Sequence, residues 1–578
     1  MGDDASAAGG GTRWPATAAA FLVVGVSWAV LQLLGIGRAP FHTRGEAREA
    51  VVVQHLAASG DWILPRRNAT TLPRKPPLFY WLGAAVAKVR HGVDEATVRL
   101  PSALLSGLAA LALTAAVAAS LTPLAGAAAG LTLLTSFEWL RAATTARVDM
   151  TLAFGLAFAF IGLLRFRLSG RTPALLLFYA GVIWATLAKG IPGLAFPVLQ
   201  VLLLCVVDRS PALILQLRPL RGALVVLLVV GAWYAAATVQ AGKAFLTIVA
   251  SENLQRIRGG AAYAGGHQHS AGYLVGALLA GLLPWTLLLP PVLLRLWRER
   301  AGLSRTDPRL FALLWIVVVF TSHAIAASKR GVYLLPLYPA VALLIGWWIA
   351  RLGAAAPFRV TRRVVSALAF LFAPLLALLG LGALAQGLGA PLLDGLAALA
   401  RGRTADDIAA VVAALRGDGI VFAALLGAAA VAALLSGITA LRGSALAVFG
   451  ALFVCAGAVT LAVRLVAMPA LAQAQTRRPF ALALRATLDD PSALHTVPSL
   501  DYGTLFYWGT TLPVWDPAQG GEPPRYLLVP ASTWQHADPN RWTGYRRIAG
   551  LPDIRSDGEA SPVVLERTDT NAVAPVAN

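Results

Sequence analysis

The sequence predicts an all-α polytopic membrane bundle of about 13 transmembrane helices, followed by a small C-terminal α/β domain. Three observations predict it. Apolar runs long enough to cross a bilayer recur from end to end of the 578 residues, and in lipid a helix is the element that satisfies its own backbone hydrogen bonds. Only 13% of the residues are charged against 57% hydrophobic, with a mean hydropathy of +0.68, far from a soluble composition. Beyond residue 466 the pattern changes to short alternating stretches typical of strands.

The predicted spans are 16–37, 98–118, 121–136, 148–166, 172–188, 190–207, 221–239, 270–294, 308–326, 332–351, 364–385, 419–441 and 444–466. The first is too long for the core of a signal peptide and reads as an uncleaved anchor. The stretch 77–89 is apolar but opens on Pro76-Pro77 and carries Tyr80 and Trp81, which suits a helix lying in the interface. "GEAREAVVVQHLAASG" before it has the apolar spacing of a second interfacial helix, with Gly60 as its stop. In the tail, "RPFALALRATLDD" reads as an amphipathic helix, and "RYLLVP", "YRRIAG" and "SPVVLERT" as strands. The predicted units are a transmembrane domain, 1–466, with an outer loop 38–97, and an outer α/β domain, 467–578.

Orientation follows from arginine. Compact loops at 165–171, 209–221, 295–309 and 351–363, with Arg442, carry Arg with few acids, as cytoplasmic loops do. This predicts a cytoplasmic N-terminus and an outer C-terminus, with three sizeable outer segments: 38–97, about 240–269, and the tail. The net charge of +20 is then explained by topology and anionic lipid headgroups rather than nucleic acid. Cys205 and Cys455 lie in apolar runs and read as core residues. "MGDDAS" and the "NAT" at Asn68 match modification patterns by chance. No glycine-rich nucleotide loop is present, and no internal repeat marks a transporter of the inverted-repeat kind.

The chemistry gathers on the outer side. Asp149 opens an otherwise apolar helix, an expensive placement that points to use, and Glu46, in the first outer loop, is a carboxylate on the same side. Arg48, Lys75, Lys189, Lys329 and Arg330 are cations in the same outer loops. Carboxylates that orient or deprotonate an acceptor, cations that stabilise an anionic leaving group, and an apolar groove for a lipid tail together suit transfer of a sugar from a lipid-phosphate donor. Arg147, Tyr80, His267 and Tyr333 share these loops and are candidates for contacts with donor or acceptor. His267 and His269, two apart in a glycine-rich loop, form no recognisable metal motif.

"GEAREAVVVQHLAASGDWILPRRN" with "KPPLFYWL" resembles the first periplasmic loop of the bacterial lipid A aminoarabinose transferase family, in the protein O-mannosyltransferase-like clan. "ARVDMTLAFG", "LAKGIPG", "ENLQRIRGG", "LLPWTLLLP" and "KRGVYLLPLYP" resemble its later motifs in order. The resemblance covers about 38–350. It implies a C-type membrane glycosyltransferase fold in the bacterial inner membrane. It also implies transfer of a sugar from a polyprenyl-phosphate donor to lipid A or another glycolipid, polymer or protein acceptor on the periplasmic face, by a monomer. By position, Asp149 matches the family's second-loop acid, Lys75 the lysine that meets the donor phosphate, and Arg48 the arginine of the acidic-pair motif. A divalent metal is the one cofactor to consider. Three positions depart from the pattern: Gly45 replaces the first acid of the pair and leaves Glu46, Glu49 replaces the aromatic after Arg48, and Arg74 replaces a common Glu. The rival readings are a flippase for lipid-linked intermediates, whose charges belong at mid-membrane, and an inactive relative.

Overall fold

The computed structural model describes residues 13–568 apart from 70, 259–268, 352–358, 517, 520, 537–541, 555, 557 and 558. Helix α1 (Arg13–Trp28) runs on through a π-helical turn, Ala29–Leu33, and delivers the chain to the first outer loop. In that loop, α2 (Arg44–Ser59) starts at Thr43, whose side chain accepts from the Glu46 N–H, and stops at Gly60 with φ +68°, a left-handed conformation that glycine adopts freely. Helix α3 (Leu78–Arg90) begins behind Pro77. Both helices therefore form where the sequence predicts them.

The bundle follows with α4 (Glu95–Ser120), α5 (Pro123–Thr135), α6 (Phe137–Ala143), α7 (Val148–Ser169), α8 (Thr172–Lys189) and α9 (Ile191–Asp208). A long helix, Pro219–Arg258, bends at Gly242. Later helices cover Pro308–Ile325, Tyr338–Ala350, Arg359–Gly387, Arg403–Leu441 and Ala445–Ala462.

Among the described residues, eleven helices are long and apolar enough to cross a membrane, or twelve if one bent pair counts as a span. All thirteen predicted stretches are helical, so the difference in number lies in two of them. The stretch 270–294 is broken: Ala271–Gly281 and Trp285–Gly302 meet at 100°. The stretch 121–136 yields only the 13 residues of α5, about 20 Å of helix against a hydrocarbon core of about 30 Å. Helix α5 is sealed inside the bundle by small residues. A Cβ on Gly346 would lie 2.4 Å from the Ala125 carbonyl oxygen, and one on Gly130 would lie 2.3 Å from Thr114 Oγ1, so the helices touch nearly backbone to backbone.

The C-terminal region forms a four-stranded sheet in the order β1-β2-β4-β3, with β1 Leu494–Thr496, β2 Tyr526–Val529, β3 Tyr545–Arg547 and β4 Val563–Arg567. β1 pairs parallel to β2 (Leu494 with Tyr526), and β4 is antiparallel to both β2 and β3. The three predicted strands are present. β1, three residues between turn segments, was not visible in the sequence pattern. Phe480, Leu484, Tyr526, Leu528 and Val564 share one apolar core with Phe41, Val52 and Phe79, so this sheet region packs directly on the first outer loop. Asn68 fastens the two together: its amide donates to the Leu512 carbonyl and accepts from the Leu512 N–H, both at 2.8 Å. The side chain of the "NAT" match is thus buried and hydrogen-bonded to the neighbouring segment.

Candidate active site

A cavity of about 1240 Å³ opens at the end of the bundle where the first outer loop and the C-terminal sheet sit. Helix α2 presents Gly45, Arg48, Glu49 and Val52 to it, spaced three and four residues apart as one face of a helix requires. Glu46 is turned about 100° from Gly45 and points elsewhere. Its carboxylate is buried against Arg99, with Nε–Oε1 at 2.8 Å and Nη2–Oε2 at 3.1 Å, and it accepts the Ala146 N–H at 2.9 Å. The same Arg99 donates to the carbonyls of Ala39 and Ile36. Glu46 therefore ties three segments together and is not on the cavity wall, where the sequence predicts it. Burial opposes its charge, and Arg99 outweighs that, holding the carboxyl below the usual carboxylate range.

Glu49 is the α2 acid that lines the cavity. Its side chain is 5% exposed and forms ion pairs with Arg48 Nη2 at 2.8 Å and Lys75 Nζ at 3.0 Å, while the Tyr80 hydroxyl donates to it at 2.6 Å. Burial raises its pKa, but Lys75, Arg48 and Tyr80 together hold it below the carboxylate range. Burial lowers the Lys75 ammonium and Glu49 opposes the shift. Burial and the Glu49 charge push the Tyr80 phenol far above its ordinary value.

A second acid–base pair faces this one. Asp149, in the first turn of α7, accepts from Lys189 Nζ at the C-terminal end of α8. The same ammonium lies 4.4 Å from the centre of the Tyr333 ring, a favourable placement for a cation. On a third wall, α6 supplies Glu138 and Arg141, joined at 2.8 Å. Arg147 and Arg330 also line the cavity.

The structure thus brings together Asp149, Lys75, Arg48, Lys189, Arg330, Arg147, Tyr80 and Tyr333 from the predicted set. Glu46 and Lys329 are not among the lining residues. Lys329 Nζ donates instead to the Ala326 carbonyl at 2.8 Å. His267 lies outside the described residues, and His269 stacks on Tyr273 with ring centres 4.1 Å apart. Glu49, Glu138 and Arg141 were missed. The i,i+4 relation of Gly45 to Glu49 and the i,i+3 relation of Glu138 to Arg141 are the signals that point to them. Among the described residues no three His, Cys, Asp or Glu side chains gather to hold a metal ion, and both oxygens of Glu49 already have donors.

Among the described residues, the cavity wall has nine cationic side chains (Arg44, Arg48, Arg67, Arg74, Lys75, Arg141, Arg147, Lys189 and Arg330) against three carboxylates. Such a surplus in a concave, partly desolvated site favours an anionic ligand.

Comparison with known proteins agrees with this picture. The sequence profile of the dolichyl-phosphate-mannose-protein mannosyltransferase family matches residues 74–234. The chain is 28% identical over 384 residues to the undecaprenyl phosphate-alpha-4-amino-4-deoxy-L-arabinose arabinosyl transferase of Pectobacterium carotovorum, covering 62% of this chain and 65% of that one. It is 27% identical over 319 residues to the enzyme of the same name from Aeromonas salmonicida, covering 54% and 57%. The chain therefore spans less than two thirds of the length of these curated relatives. Its fold matches ArnT from Cupriavidus metallidurans bound to undecaprenyl phosphate, with a TM-score of 0.70 at 21% identity, over 95% of this chain and 97% of that one.

Proposed function

We propose that this chain, a member of the lipid A aminoarabinose transferase-like family with the C-type membrane glycosyltransferase fold, transfers a sugar from a polyprenyl-phosphate donor to an envelope acceptor at the periplasmic face of the bacterial inner membrane. The observation that carries the reading is the cavity itself: among the described residues, nine cations and three carboxylates at one end of an apolar helical bundle. A mid-membrane charge array, as a flippase requires, is a poorer description of this clustering.

In the reaction, the bond from the sugar's anomeric carbon to the donor phosphate breaks, and a bond from that carbon to an acceptor oxygen forms. Negative charge develops on the departing polyprenyl phosphate, and preorganised cations lower the barrier most where that charge appears. Lys75, Arg48, Lys189 and Arg330 supply the field. Asp149 and Glu49 are the acids on the cavity wall. Asp149, held by Lys189, orients the acceptor and takes the proton if the acceptor is a hydroxyl. Glu49 fixes the positions of Arg48, Lys75 and Tyr80.

The topology supports an outer site. Helix α1 is one span leading to loop 38–97, and the C-terminal sheet packs on that loop, which supports opposite sides for the start of α1 and the sheet. The arginine-rich compact loops support a cytoplasmic N-terminus.

The experiment is transfer of label from undecaprenyl-phosphate-linked sugar to envelope glycolipid by the purified chain in lipid nanodiscs. Asp149→Asn is expected to lower transfer by about 10²- to 10⁴-fold. Full transfer by that variant removes Asp149 from the mechanism, and donor flipping without transfer by the wild type removes the enzyme reading.

A further inference from the structure

The cations around the cavity are not equivalent. Arg48 and Lys75 share the single charge of Glu49, and Lys189 is paired with Asp149. Arg141 is paired with Glu138, and Arg44 with Glu559. Arg67 donates to the Tyr502 hydroxyl at 3.1 Å, and Arg330 is engaged as well. Arg74 is exposed, so water can solvate it.

Arg147 is different. It lines the cavity, its Nε is buried, and among the described residues that atom has no hydrogen-bond partner. Its guanidinium takes part in no ion pair there either. The neighbouring acid Asp149 is committed to Lys189, and Glu138 to Arg141. The backbone of Arg147 is fixed, because its N–H donates to Ser102 Oγ at 3.3 Å on α4. The side chain is therefore projected from an anchored point. Burial and the Arg141 charge weaken its hold on its proton, with Asp149, Glu138 and Glu46 opposing. A mostly buried guanidinium lacking a counter-charge is costly, and that cost is removed when an anion enters and accepts from it.

We infer that Arg147 is the principal anion anchor of this cavity, taking a phosphate oxygen of an incoming lipid, while Lys75, Arg48 and Lys189, each held by an acid, form a fixed cationic frame around it. The inference rests on the proposed transferase reading and assigns the leading role in phosphate binding to a residue outside the lysine-centred cluster. Two sources offer that chemistry, the phosphate of the polyprenyl donor and a phosphate on a glycolipid acceptor.

The test uses the full-length protein in nanodiscs with undecaprenyl phosphate as the probe for the donor and a phosphorylated glucosamine-disaccharide lipid as the probe for the acceptor. Arg147→Gln and Arg147→Lys are compared with the wild type for binding of each probe, and their melting temperatures are recorded without ligand. A donor role predicts that Arg147→Gln weakens undecaprenyl phosphate binding about tenfold or more, with partial recovery in Arg147→Lys. An acceptor role predicts the same pattern with the second probe alone. Because removing an uncompensated buried charge relieves strain, Arg147→Gln is expected to melt no lower than the wild type. Unchanged binding of both probes overturns the inference, as does a variant that melts far below the wild type in the absence of ligand. Binding is read without turnover, so a wild type that binds undecaprenyl phosphate through Arg147 but transfers no sugar defeats the transferase reading and leaves the anchor standing.

Discussion

Replacing Glu46 by Gln separates an architectural acid from a chemical one. The wild-type carboxylate accepts two hydrogen bonds from Arg99 and one from the Ala146 N–H. Glutamine keeps the shape and one acceptor oxygen, but it turns an NH₂ toward the guanidinium and removes the counter-charge. The Arg99 side chain, 4% exposed, then has the carbonyls of Ala39 and Ile36 and a single neutral amide oxygen, with no carboxylate against it. Breaking one side of a buried ion pair costs about 3–5 kcal/mol, and the retained acceptor places this variant near the lower end, at about 3 kcal/mol. A loss of that size is a large part of the stability of an ordinary domain, about 5–15 kcal/mol. The expected outcome is a clearly lower melting temperature in detergent, with transfer per folded molecule retained well below that temperature. The double variant Glu46→Leu/Arg99→Met, which removes both charges, should melt above Glu46→Gln, since an apolar pair tolerates the site better than half an ion pair. The reasoning is refuted if Glu46→Gln melts like the wild type and loses transfer, which would return Glu46 to the role its motif position suggests.

Glu49 has a folded-state pKa below the ordinary value, so its contribution to stability is complete above about pH 4.3 and fades as pH falls toward the depressed folded value. The gap in melting temperature between wild type and Glu49→Gln should be constant from neutral pH to about pH 5 and shrink in stronger acid. Gly281→Ala should cost about 1–3 kcal/mol, because its Cβ would lie 2.0 Å from Tyr338 Oη and 2.9 Å from Glu138 Cβ; a thermal melt checks this. Asn68→Ala leaves the N–H and carbonyl of Leu512 without their partner, about 1–3 kcal/mol, and should speed proteolysis in the C-terminal sheet region with little effect on the transmembrane core.

The bundle was legible because hydropathy is a strong signal over about 20 residues. It failed where length and burial diverge. Residues 121–136 are apolar enough to span, but α5 is apolar because other helices cover it, and hydropathy does not distinguish a lipid neighbour from a protein one. Residues 270–294 hide a 100° bend behind unbroken hydrophobicity, with Pro284 as the sequence sign of a break. The fastening of the C-terminal sheet to the first outer loop by Asn68, Tyr507 and Arg67 joins residues more than 400 positions apart, which local patterns do not encode.

The site shows a finer limit. Asp149, Lys75, Arg48 and Lys189 were identified from charge in apolar surroundings, and all four line one cavity. Glu46 was chosen over Glu49 by motif position, yet the helix geometry decides between them. With Gly45 facing the cavity, Arg48 lies about 60° to one side and Glu49 about 40° to the other, whereas Glu46 lies about 100° away. A carboxylate at that angle meets α4 rather than the cavity, and Arg99 is the residue of α4 placed to receive it. Glu49 in turn occupies two cations of the wall, Lys75 and Arg48. With those two cations held by one acid, Arg147, whose Nε is buried without a partner among the described residues, is the cation we infer to meet an anion first. The acid substituted for an aromatic in the first outer loop thereby shifts the balance of the whole site, one helical turn from the position where an acid is absent.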